Sequence, residues 1–429
     1  MQCIKFNEEW MFEKPDSNSQ LKAFQGEKSA IQVTLPYDAM IREKRTAECP
    51  AGAQSGFYPG GVYTYEKVFF APEEWKTKDA ALEFEGIYGT ARVWINGSLA
   101  HTNRNGYMGF MVELNPWILY GQENTIKIDV DNSCQPNSRW YTGSGIYRDV
   151  NLWVGTDMYV PRDGLRITTV SVCDDVAVVE VCAEIKNITC SGTEAECIIE
   201  LCRDGKAAAK EVQKIVFFQN MIETVRVRIP VLKPEKWSPE HPNLYECRIQ
   251  IKNGENVCDV TTEHFGIRVL ALDPVRGFQI NGETINLRGA CIHHDNGIIG
   301  AETFPEAEWY RCKRLKEAGF NALRSSHHPM SRAMLDACDC LGMMVMDELT
   351  DMWNRHKNPY DYADIFAEEA EQWIAHMVAK DYNHPSVVMY SVGNEIQEAG
   401  TKQGSWINRS LCNKVHELDS TRYTTNALN

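Results

Sequence analysis

The sequence lacks an excess of basic residues. Its 429 residues include 44 Lys and Arg against 59 Asp and Glu, which gives a formal net charge of −15. A nucleic-acid-binding protein needs a positive surface for phosphates, and docking on anionic lipid needs the same. The composition therefore argues against nucleic acid and gives no support for a membrane surface. A neutral or polar substrate fits this charge balance better.

Long apolar runs are also missing. No window reaches the roughly 18 consecutive apolar residues of a membrane-spanning helix. The first residues, MQCIKFNEEWMF, lack the basic region and apolar core of a signal peptide. We therefore expect neither a membrane span nor a secretory leader.

Paired cysteine spacing is absent although cysteine is abundant. The count of fifteen is odd, and Cys338-x-Cys340 does not have the spacing of a zinc site. Many cysteines, such as Cys247 and Cys291, sit inside apolar runs where a thiol behaves as a small hydrophobe. We expect free, reduced cysteines in a cytoplasmic protein.

Residues 1–160 have the two-residue period of β-strands. VYTYEKVFF (62–70) alternates, and NTIKIDVDNS (124–133) places Ile126, Ile128 and Val130 on one face. Asn96-Gly97 is the strongest short hairpin signal in the chain. This pattern predicts a jelly-roll β-sandwich.

Residues 161–273 are also β, with shorter strands. VAVVEVCAEI (176–185), TVRVRIP (224–230) and LYECRIQI (244–251) are typical members. About seven short strands in roughly 100 residues is the size of an immunoglobulin-like β-sandwich.

From residue 274 to 429 the pattern changes to strand–helix units, as in a (β/α)₈ TIM barrel. Thr303-x-x-Glu306 reads as a capping box at the start of the first helix. A stripe with Trp373 and a helix with Trp309 read as core. The predicted strands are 284–293, 321–326, 343–348 and 386–392, with a fifth beginning at 421–428. The third region is therefore a partial barrel.

Each of the four strands ends in polar or ionisable residues. His293-His294-Asp295 follows the first, Arg324-Ser325-Ser326-His327 the second, Asp347-Glu348 the third and Asn394-Glu395 the fourth. A barrel keeps its active site at the carboxyl ends of its strands. Neighbouring residues of a strand point to opposite faces. We therefore expect one histidine of each His-His pair in the site and structural roles for His294 and His328.

The order of parts resembles the family 2 glycoside hydrolases, the group of β-galactosidases, β-glucuronidases and β-mannosidases. The resemblance covers the whole chain and rests on five stretches. They are SRWYTGSGIYRDVNLWV (138–154), KWSPEHPNLYECRI (236–249), GFQINGETINLRGACIHHD (277–295), NALRSSHHP (321–329) and SVGNEIQE (391–398).

The resemblance implies an acid/base glutamate and several sugar-binding side chains. Glu395 matches the acid/base glutamate, with Asn394 beside it. His293 matches a substrate-binding histidine, and Arg324 and His327 match the arginine and histidine after the second strand. Such an acid stays protonated near neutral pH through burial and a nearby negative charge. We expect that environment around Glu395.

Three further residues are candidates for the substrate pocket. Asp131 and Arg139 lie in the first-domain region that reaches into the pocket in relatives. Trp353, in the loop after the third strand, is an aromatic residue that could stack on a sugar face, whereas Trp140 reads slightly better as packing.

Two departures from the family pattern limit the prediction. The stretch LTDMWN (349–354) has neither the glutamate nor the histidine that helps hold magnesium in the large β-galactosidases, so we predict no metal and no cofactor. The family's nucleophile is a second glutamate on a later strand, and no segment here matches it. A full barrel takes about 250 residues, whereas this one has 156 (429 − 274 + 1).

The expected function is hydrolysis of terminal β-D-galactosides by a retaining, two-carboxylate mechanism. The nucleophile is expected beyond this chain, so the chain alone is expected to be inactive. β-Glucuronides and β-mannosides stay open as substrates. A rival hypothesis is a non-catalytic carbohydrate-binding or assembly fragment, in which the open barrel edges pair with another copy to form a homo-oligomer.

Overall fold

A computed structural model of the chain describes residues 1–15, 30–189, 192–218 and 221–428. They form two β-sandwiches followed by a parallel α/β region. The fourteen cysteines in these ranges carry free thiols. None of the helices described there is both long and apolar enough to cross a membrane.

The first region is a β-sandwich, as predicted. One sheet has the order β1-β12-β5-β9, the other β3-β2-β4-β10-β7-β8, and β6 pairs with β11. Tyr63, Tyr65 and Phe69 alternate along β4 toward the core between the sheets. The strands are β1 (Gln2–Lys5), β2 (Trp10–Glu13), β3 (Ile31–Val33), β4 (Val62–Ala71), β5 (Ala80–Phe84), β6 (Ile87–Tyr88), β7 (Thr90–Ile95), β8 (Ser98–Asn103), β9 (Phe110–Glu113), β10 (Gln122–Asp131), β11 (Gly145–Ile146) and β12 (Val150–Val154).

The predicted hairpin at Asn96-Gly97 joins β7 to β8. Both residues have positive φ, 49° and 80°, as a tight hairpin turn requires. The Asn96 side chain also accepts from the backbone N–H of Thr125 at 2.9 Å. This bond ties the turn to the neighbouring strand.

The second region is the predicted immunoglobulin-like sandwich. In one sheet β15 pairs with β13 and β14 on one side and with β18 on the other, and the second sheet has the order β17-β16-β19-β20. The strands are β13 (Met158–Tyr159), β14 (Leu165–Val172), β15 (Val176–Asn187), β16 (Thr193–Arg203), β17 (Lys206–Phe217), β18 (Ile222–Leu232), β19 (Tyr245–Asn253) and β20 (Asn256–Phe265). Because β13 pairs in this sheet, the second sandwich begins slightly before residue 161.

The third region is a five-stranded parallel sheet with the order β24-β25-β26-β27-β28, which corresponds to part of a TIM barrel. A small antiparallel sheet of β21, β22 and β23 precedes it. The elements are β21 (Leu270–Asp273), β22 (Gly277–Ile280), β23 (Glu283–Thr284), β24 (Gly289–Ile292), α1 (Pro305–Glu317), β25 (Ala322–Ser325), α2 (Arg332–Leu341), β26 (Met344–Glu348), α3 (Ala363–Asp381), β27 (Val387–Asn394), α4 (Lys402–Leu418) and β28 (Tyr423–Ala427).

The start of the barrel differs from the prediction in two respects. The capping box at Thr303 is wrong, because α1 begins at Pro305 and the Thr303 hydroxyl donates to the Ala301 carbonyl instead. Proline at the first helical position needs no hydrogen-bond partner for its nitrogen and fixes φ for the helix. The predicted strand 284–293 is two separate pieces, β23 and β24.

The first helix is less buried than predicted. Trp309 is 42% exposed, so its assignment to the core is wrong, whereas Trp373 on α3 is buried as expected. Only Glu308 and Cys312 are buried on α1. The reason is that α1 flanks β24, an edge strand of the sheet, and meets a helical neighbour on one side only among the described residues.

One buried arginine ties β28 to the strand before it. Arg422 donates to the main-chain carbonyls of Val387, Tyr382 and His384 at 2.8, 2.9 and 2.8 Å. Its Nη1 donates to Asp419 at 2.6 Å, and both side chains are buried. The pair therefore closes the amino-terminal side of the sheet.

We predict that Arg422→Ala destabilises the barrel region by about 3–5 kcal/mol, because it leaves the Asp419 charge buried without its partner. Urea unfolding followed by tryptophan fluorescence measures this loss. The control is Arg409→Ala on the exposed side of α4, with an expected change below about 0.5 kcal/mol. Equal effects of the two substitutions would contradict the role given to Arg422.

Candidate active site

The candidate site lies at the carboxyl ends of the parallel strands. The ends of β25, β26 and β27 lie side by side in the sheet and carry Arg324, Glu348 and Asn394. Their side chains contact one another directly. The sequence prediction that strand ends build one site is therefore matched by the geometry for these three strands.

Glu348 is the anion beneath the site. Its Oε2 accepts from Arg324 Nη2 at 2.6 Å, from Arg324 Nε at 3.1 Å and from the Ser391 hydroxyl at 2.6 Å. Its Oε1 lies 2.5 Å from His327 Nδ1. The carboxylate is fully buried, so it positions Arg324 and His327 and has no free face for attack on a substrate.

Asn394 is held between a cation and an anion. Its Oδ1 accepts from Arg324 Nη2, and its Nδ2 donates to Asp351 Oδ1, both at 2.8 Å. These two bonds determine which way the amide points. The second Nδ2 hydrogen has no partner among the residues that the structure describes, so it is available to a sugar hydroxyl.

At Glu395 the backbone leaves the extended conformation of β27, which ends at Asn394. Its φ of 43° lies in the left-handed region, which a residue with a Cβ rarely adopts. Its backbone N–H donates to the Ala427 carbonyl at 2.8 Å, which holds it beside β28. The side chain is half-exposed, and Arg139 Nη1 lies 3.6 Å from Oε2. The expected burial is not present here, because half of the side chain is exposed, and the ion pair described for it is with a cation.

Arg139, which was expected to bind substrate, extends from the first domain to the mouth of the pocket, beside Asp351 and Glu395. Its Nε and Nη2 donate to the two oxygens of Asp351 at 2.9 and 2.6 Å. Lys357 Nζ donates to Asp351 Oδ1 and to the Asn394 carbonyl, both at 2.8 Å. Burial raises the pKa of Asp351, but the bonds from Arg139, Lys357 and Asn394 outweigh it and hold the pKa below its usual range.

Sequence reasoning missed Asp351 and Lys357. Asp351 lies three residues after β26, and Lys357 lies further along the same loop. The one sequence feature that points to Asp351 is its position just beyond the end of a strand. Its partner Arg139 lies 212 residues earlier in the chain, so no local pattern connects the two.

Trp140 and His293 form another wall of the pocket. The indole ring lies 4.8 Å from His293 and 5.5 Å from His327, measured between ring centroids. Its N–H donates to the Tyr107 hydroxyl at 3.0 Å. Burial and the neighbouring His327 lower the pKa of His293, which favours a neutral imidazole suited to hydrogen bonding with a sugar.

His294 and His328 have structural contacts. His294 Nδ1 lies 3.1 Å from His328 Nε2, and His294 Nε2 lies 2.9 Å from the Thr142 carbonyl. Tyr107 stacks on His328 with ring centroids 4.0 Å apart. Thr142 and Tyr107 belong to the first domain, so this pair joins the two domains.

The structure does not bring Trp353 or Asp131 into the pocket. Trp353 is a correction to the sequence reading: it is fully buried, stacks on Phe366 and donates to the Val392 carbonyl at 3.0 Å. Asp131 accepts from the backbone N–H and hydroxyl of Ser133 at 3.0 and 2.6 Å. These bonds close a turn, and none of the contacts described for Asp131 reaches the barrel.

One group of side chains in the described ranges has metal-ligand spacing, namely Asp336, Asp339 and His384. It lies before β27, at the opposite end of the strands from Glu395. Asp339 already binds His384 Nδ1 at 2.6 Å and the backbone N–H of Ser386 at 2.9 Å. This group has a structural explanation, and it is not part of the candidate site.

Three family descriptions match consecutive parts of the chain. "Glycosyl hydrolases family 2, sugar binding domain" matches residues 36–155, "Glycosyl hydrolases family 2" matches 163–268, and "Glycosyl hydrolases family 2, TIM barrel domain" matches 274–427. They follow the two sandwiches and the parallel α/β region in order.

Named relatives carry two different activities. A β-galactosidase from Bacteroides ovatus, BoGH2A, is 34% identical over 404 residues, covering 92% of this chain and 46% of its own. A β-glucuronidase from Bacteroides fragilis is 28% identical over 87% of this chain and 55% of its own. A crystal structure of a family 2 member from Bacteroides cellulosilyticus matches with a TM-score of 0.95 at 35% identity, covering all of this chain and 56% of that one. The chain thus spans about half the length of these relatives.

We predict that folding becomes less favourable below pH 6.5 because of the buried histidines. Burial lowers the pKa of His294 to about 3, so the unfolded chain binds a proton that the folded chain refuses. The stabilisation is present above the unfolded pKa and is lost as pH falls toward the folded one.

Urea unfolding at pH 7.5 and pH 5.0 tests this. Between pH 7.5 and pH 5.0 the free energy of unfolding of wild type should fall by about 2 kcal/mol more than that of His294→Gln. The comparison isolates His294 together with its effect on the neighbouring His328, 3.1 Å away, since the other titrating groups are shared by both proteins. An equal loss in the two proteins would mean that His294 is protonated in the folded state.

Proposed function

Since this chain belongs to family 2 of the glycosyl hydrolases, we propose that it forms the acid/base half of a retaining β-glycosidase active site. The proposed substrates are terminal β-D-galactosides. The observation that carries the proposal is the Asn394–Glu395 pair at the end of β27, with the amide locked by Arg324 and Asp351.

In this mechanism Glu395 donates its proton to the glycosidic oxygen as the bond to the leaving group breaks. The Asn394 amide donates a hydrogen bond to a sugar hydroxyl, and that bond strengthens as positive charge develops on the sugar ring. Glu395 then removes a proton from the water that releases the sugar. The half-exposed position of its carboxyl group supports this second step, because water can reach it.

The second carboxylate of the reaction is proposed to come from outside this chain. Among the described residues, the acids other than Glu395 whose side chains bond to the pocket residues are Glu348 and Asp351, and both are buried and already hold cations. Neither leaves an oxygen free to attack an anomeric carbon. The chain alone is therefore expected to be inactive.

A neutral sugar fits the inner part of the pocket better than a uronic acid. Arg324 and Lys357 are the described cations that bond to Asn394, and Glu348 and Asp351 neutralise them at 2.6 and 2.8 Å. A uronate carboxylate would have to compete with Glu348 for the same guanidinium. β-Glucuronide hydrolysis is nevertheless the second candidate, since named relatives include β-glucuronidases, and a β-mannoside is a third substrate in the same family.

The strand edges of the sheet suggest how the site is completed. Among the described residues, β24 and β28 each pair with a single strand, and such edges bind other strands readily. We propose that these edges associate with further barrel strands or with another copy of the chain. A monomer in light scattering at micromolar concentration would contradict this association.

We predict that the chain binds phenyl β-D-thiogalactoside and that Asn394→Ala weakens binding about tenfold, the value of one hydrogen bond to a sugar hydroxyl. Isothermal titration calorimetry measures both affinities. Asn413→Ala on the exposed side of α4 is the control and should bind like wild type. Absence of binding by wild type would contradict the proposal and favour a non-catalytic assembly fragment.

Hydrolysis of a chromogenic aryl β-D-galactoside tests whether the chain alone is inactive. We expect the rate of the wild-type chain to equal that of Glu395→Gln, since we propose that the nucleophile comes from outside this chain. Turnover that disappears in Glu395→Gln would mean that this chain, or a partner copy, already supplies the second carboxylate.

A further inference from the structure

The loop that carries His293 begins where the edge strand β24 ends. Among the described residues β24 pairs only with β25, and the last main-chain bond between the two strands runs from the Ser326 N–H to the Ile292 carbonyl at 2.8 Å. His293 is therefore the first residue beyond the strand pairing. Its carbonyl and those of the next two residues need other donors, because a main-chain oxygen that is removed from water without a hydrogen bond costs free energy.

One side chain on α1 supplies those donors. Arg311 Nη2 donates to the His293 carbonyl at 2.5 Å, and Nη1 donates to the Asp295 carbonyl at 3.0 Å. Nη1 also lies 3.4 Å from the His294 carbonyl and 3.1 Å from Asn296 Oδ1. The hydrogen bonds described for the three carbonyls all come from this guanidinium. Its rigid, planar fork thus sets the path of the main chain just after β24.

Arg311 is held in turn by an acid on its own helix. Glu308 lies one turn earlier on α1, and its Oε1 lies 3.5 Å from Arg311 Nη1 and accepts from Asn296 Nδ2 at 2.8 Å. The side chains of Glu308 and Arg311 are 4% and 20% exposed, so water competes little for these contacts. The acid therefore ties both the arginine and the loop to α1.

The imidazole ring of His293 is packed by other parts of the molecule. Trp140 of the first domain lies 4.8 Å from it, and His327 lies 5.8 Å from it with the two ring planes at 89°, distances being between ring centroids. Tyr107 holds the indole N–H of Trp140. The imidazole thus meets rings whose own positions are fixed, and it keeps these contacts only while the main chain of residue 293 stays in place.

We infer that Arg311 is a positioning residue for sugar binding, which holds the main chain of His293 so that the imidazole meets a sugar hydroxyl. The inference rests on the proposed function, and it adds a residue of α1 to the groups on which that function depends. None of the contacts described for Arg311 is with the imidazole ring, so its effect passes through the main chain. A side chain that is already ordered loses less conformational entropy when it binds a ligand.

The test measures the affinity of the full chain for phenyl β-D-thiogalactoside by isothermal titration calorimetry. Arg311→Met keeps the length of the side chain but removes its donors, and binding should weaken about fivefold. Arg311→Lys keeps a donor group and should bind with an affinity between those of wild type and Arg311→Met. The matched control is Arg314→Met. Arg314 lies three residues later on α1, is 63% exposed and pairs with Glu317, so its loss should leave the affinity unchanged.

A double-mutant cycle with His293→Ala separates positioning from a general structural role. If Arg311 acts through His293, Arg311→Met should weaken binding by less than about twofold once the imidazole has been removed. Urea unfolding of each variant is measured alongside, so that a loss of stability is not mistaken for a loss of affinity.

An affinity of Arg311→Met equal to that of wild type, with or without a loss of stability, would overturn the inference and leave the proposed function standing. Unchanged binding by His293→Ala would do the same. A loss of undiminished size in the His293→Ala background would also overturn it, because Arg311 would then act on the whole region. Absence of binding by wild type would overturn both the inference and the proposed function. If Arg311→Met does not fold, Arg311→Lys taken through the same cycle decides the question.

Discussion

The hydrogen bonds accepted by the buried carboxylate of Asp351 hold together the outer part of the candidate site. It comes from the barrel loop after β26, and it accepts hydrogen bonds from Arg139 of the first domain, from Lys357 and from Asn394. A buried charge that loses its partners costs several kcal/mol. The barrel therefore needs the first domain in place to complete its mouth, and the sugar-binding sandwich becomes part of the site.

A second buried carboxylate, Glu348, holds side chains of the barrel strands together in the same way. It gathers Arg324, His327 and Ser391 from neighbouring strands, and Arg324 in turn holds the oxygen of Asn394. The two acids thus fix the same amide from opposite sides. Preorganised donors of this kind stabilise charge in a transition state without rearranging during the reaction. Glu395 is joined to this network through Arg139, whose Nη1 lies 3.6 Å from its Oε2.

Much of the fold could be predicted because its causes are local. Apolar residues alternate along β4 because one face of the strand is buried. After residue 274 the apolar pattern changes to that of alternating strands and helices for the same reason. The positions of Arg324, Asn394 and Glu395 could be predicted as well, since parallel strands end at a common edge. Arg139 was expected near the pocket from the family resemblance alone.

The remaining features depend on contacts that no local pattern contains. Trp353 was expected in the pocket because it follows a strand end, but its loop folds back and buries the ring against Phe366. Thr303 had the spacing of a helix cap, yet Pro305 determined where α1 begins. Asp351 depends on Arg139, 212 residues away. The residue spacing within one helix or strand predicts the surroundings of a side chain well only where the residues that contact it belong to the same helix or strand.

The central claim is that the ion pair between Arg139 and Asp351 joins the first domain to the barrel. A double-mutant cycle with Arg139→Ala, Asp351→Ala and the double variant tests it most directly, with the free energy of unfolding measured in urea. Our account predicts a coupling of about 1–2 kcal/mol, because Asp351 is buried while the Arg139 side chain is 35% exposed and partly screened by water. A coupling below about 0.5 kcal/mol, the limit for independent sites, would mean that the pair does not hold the two domains together.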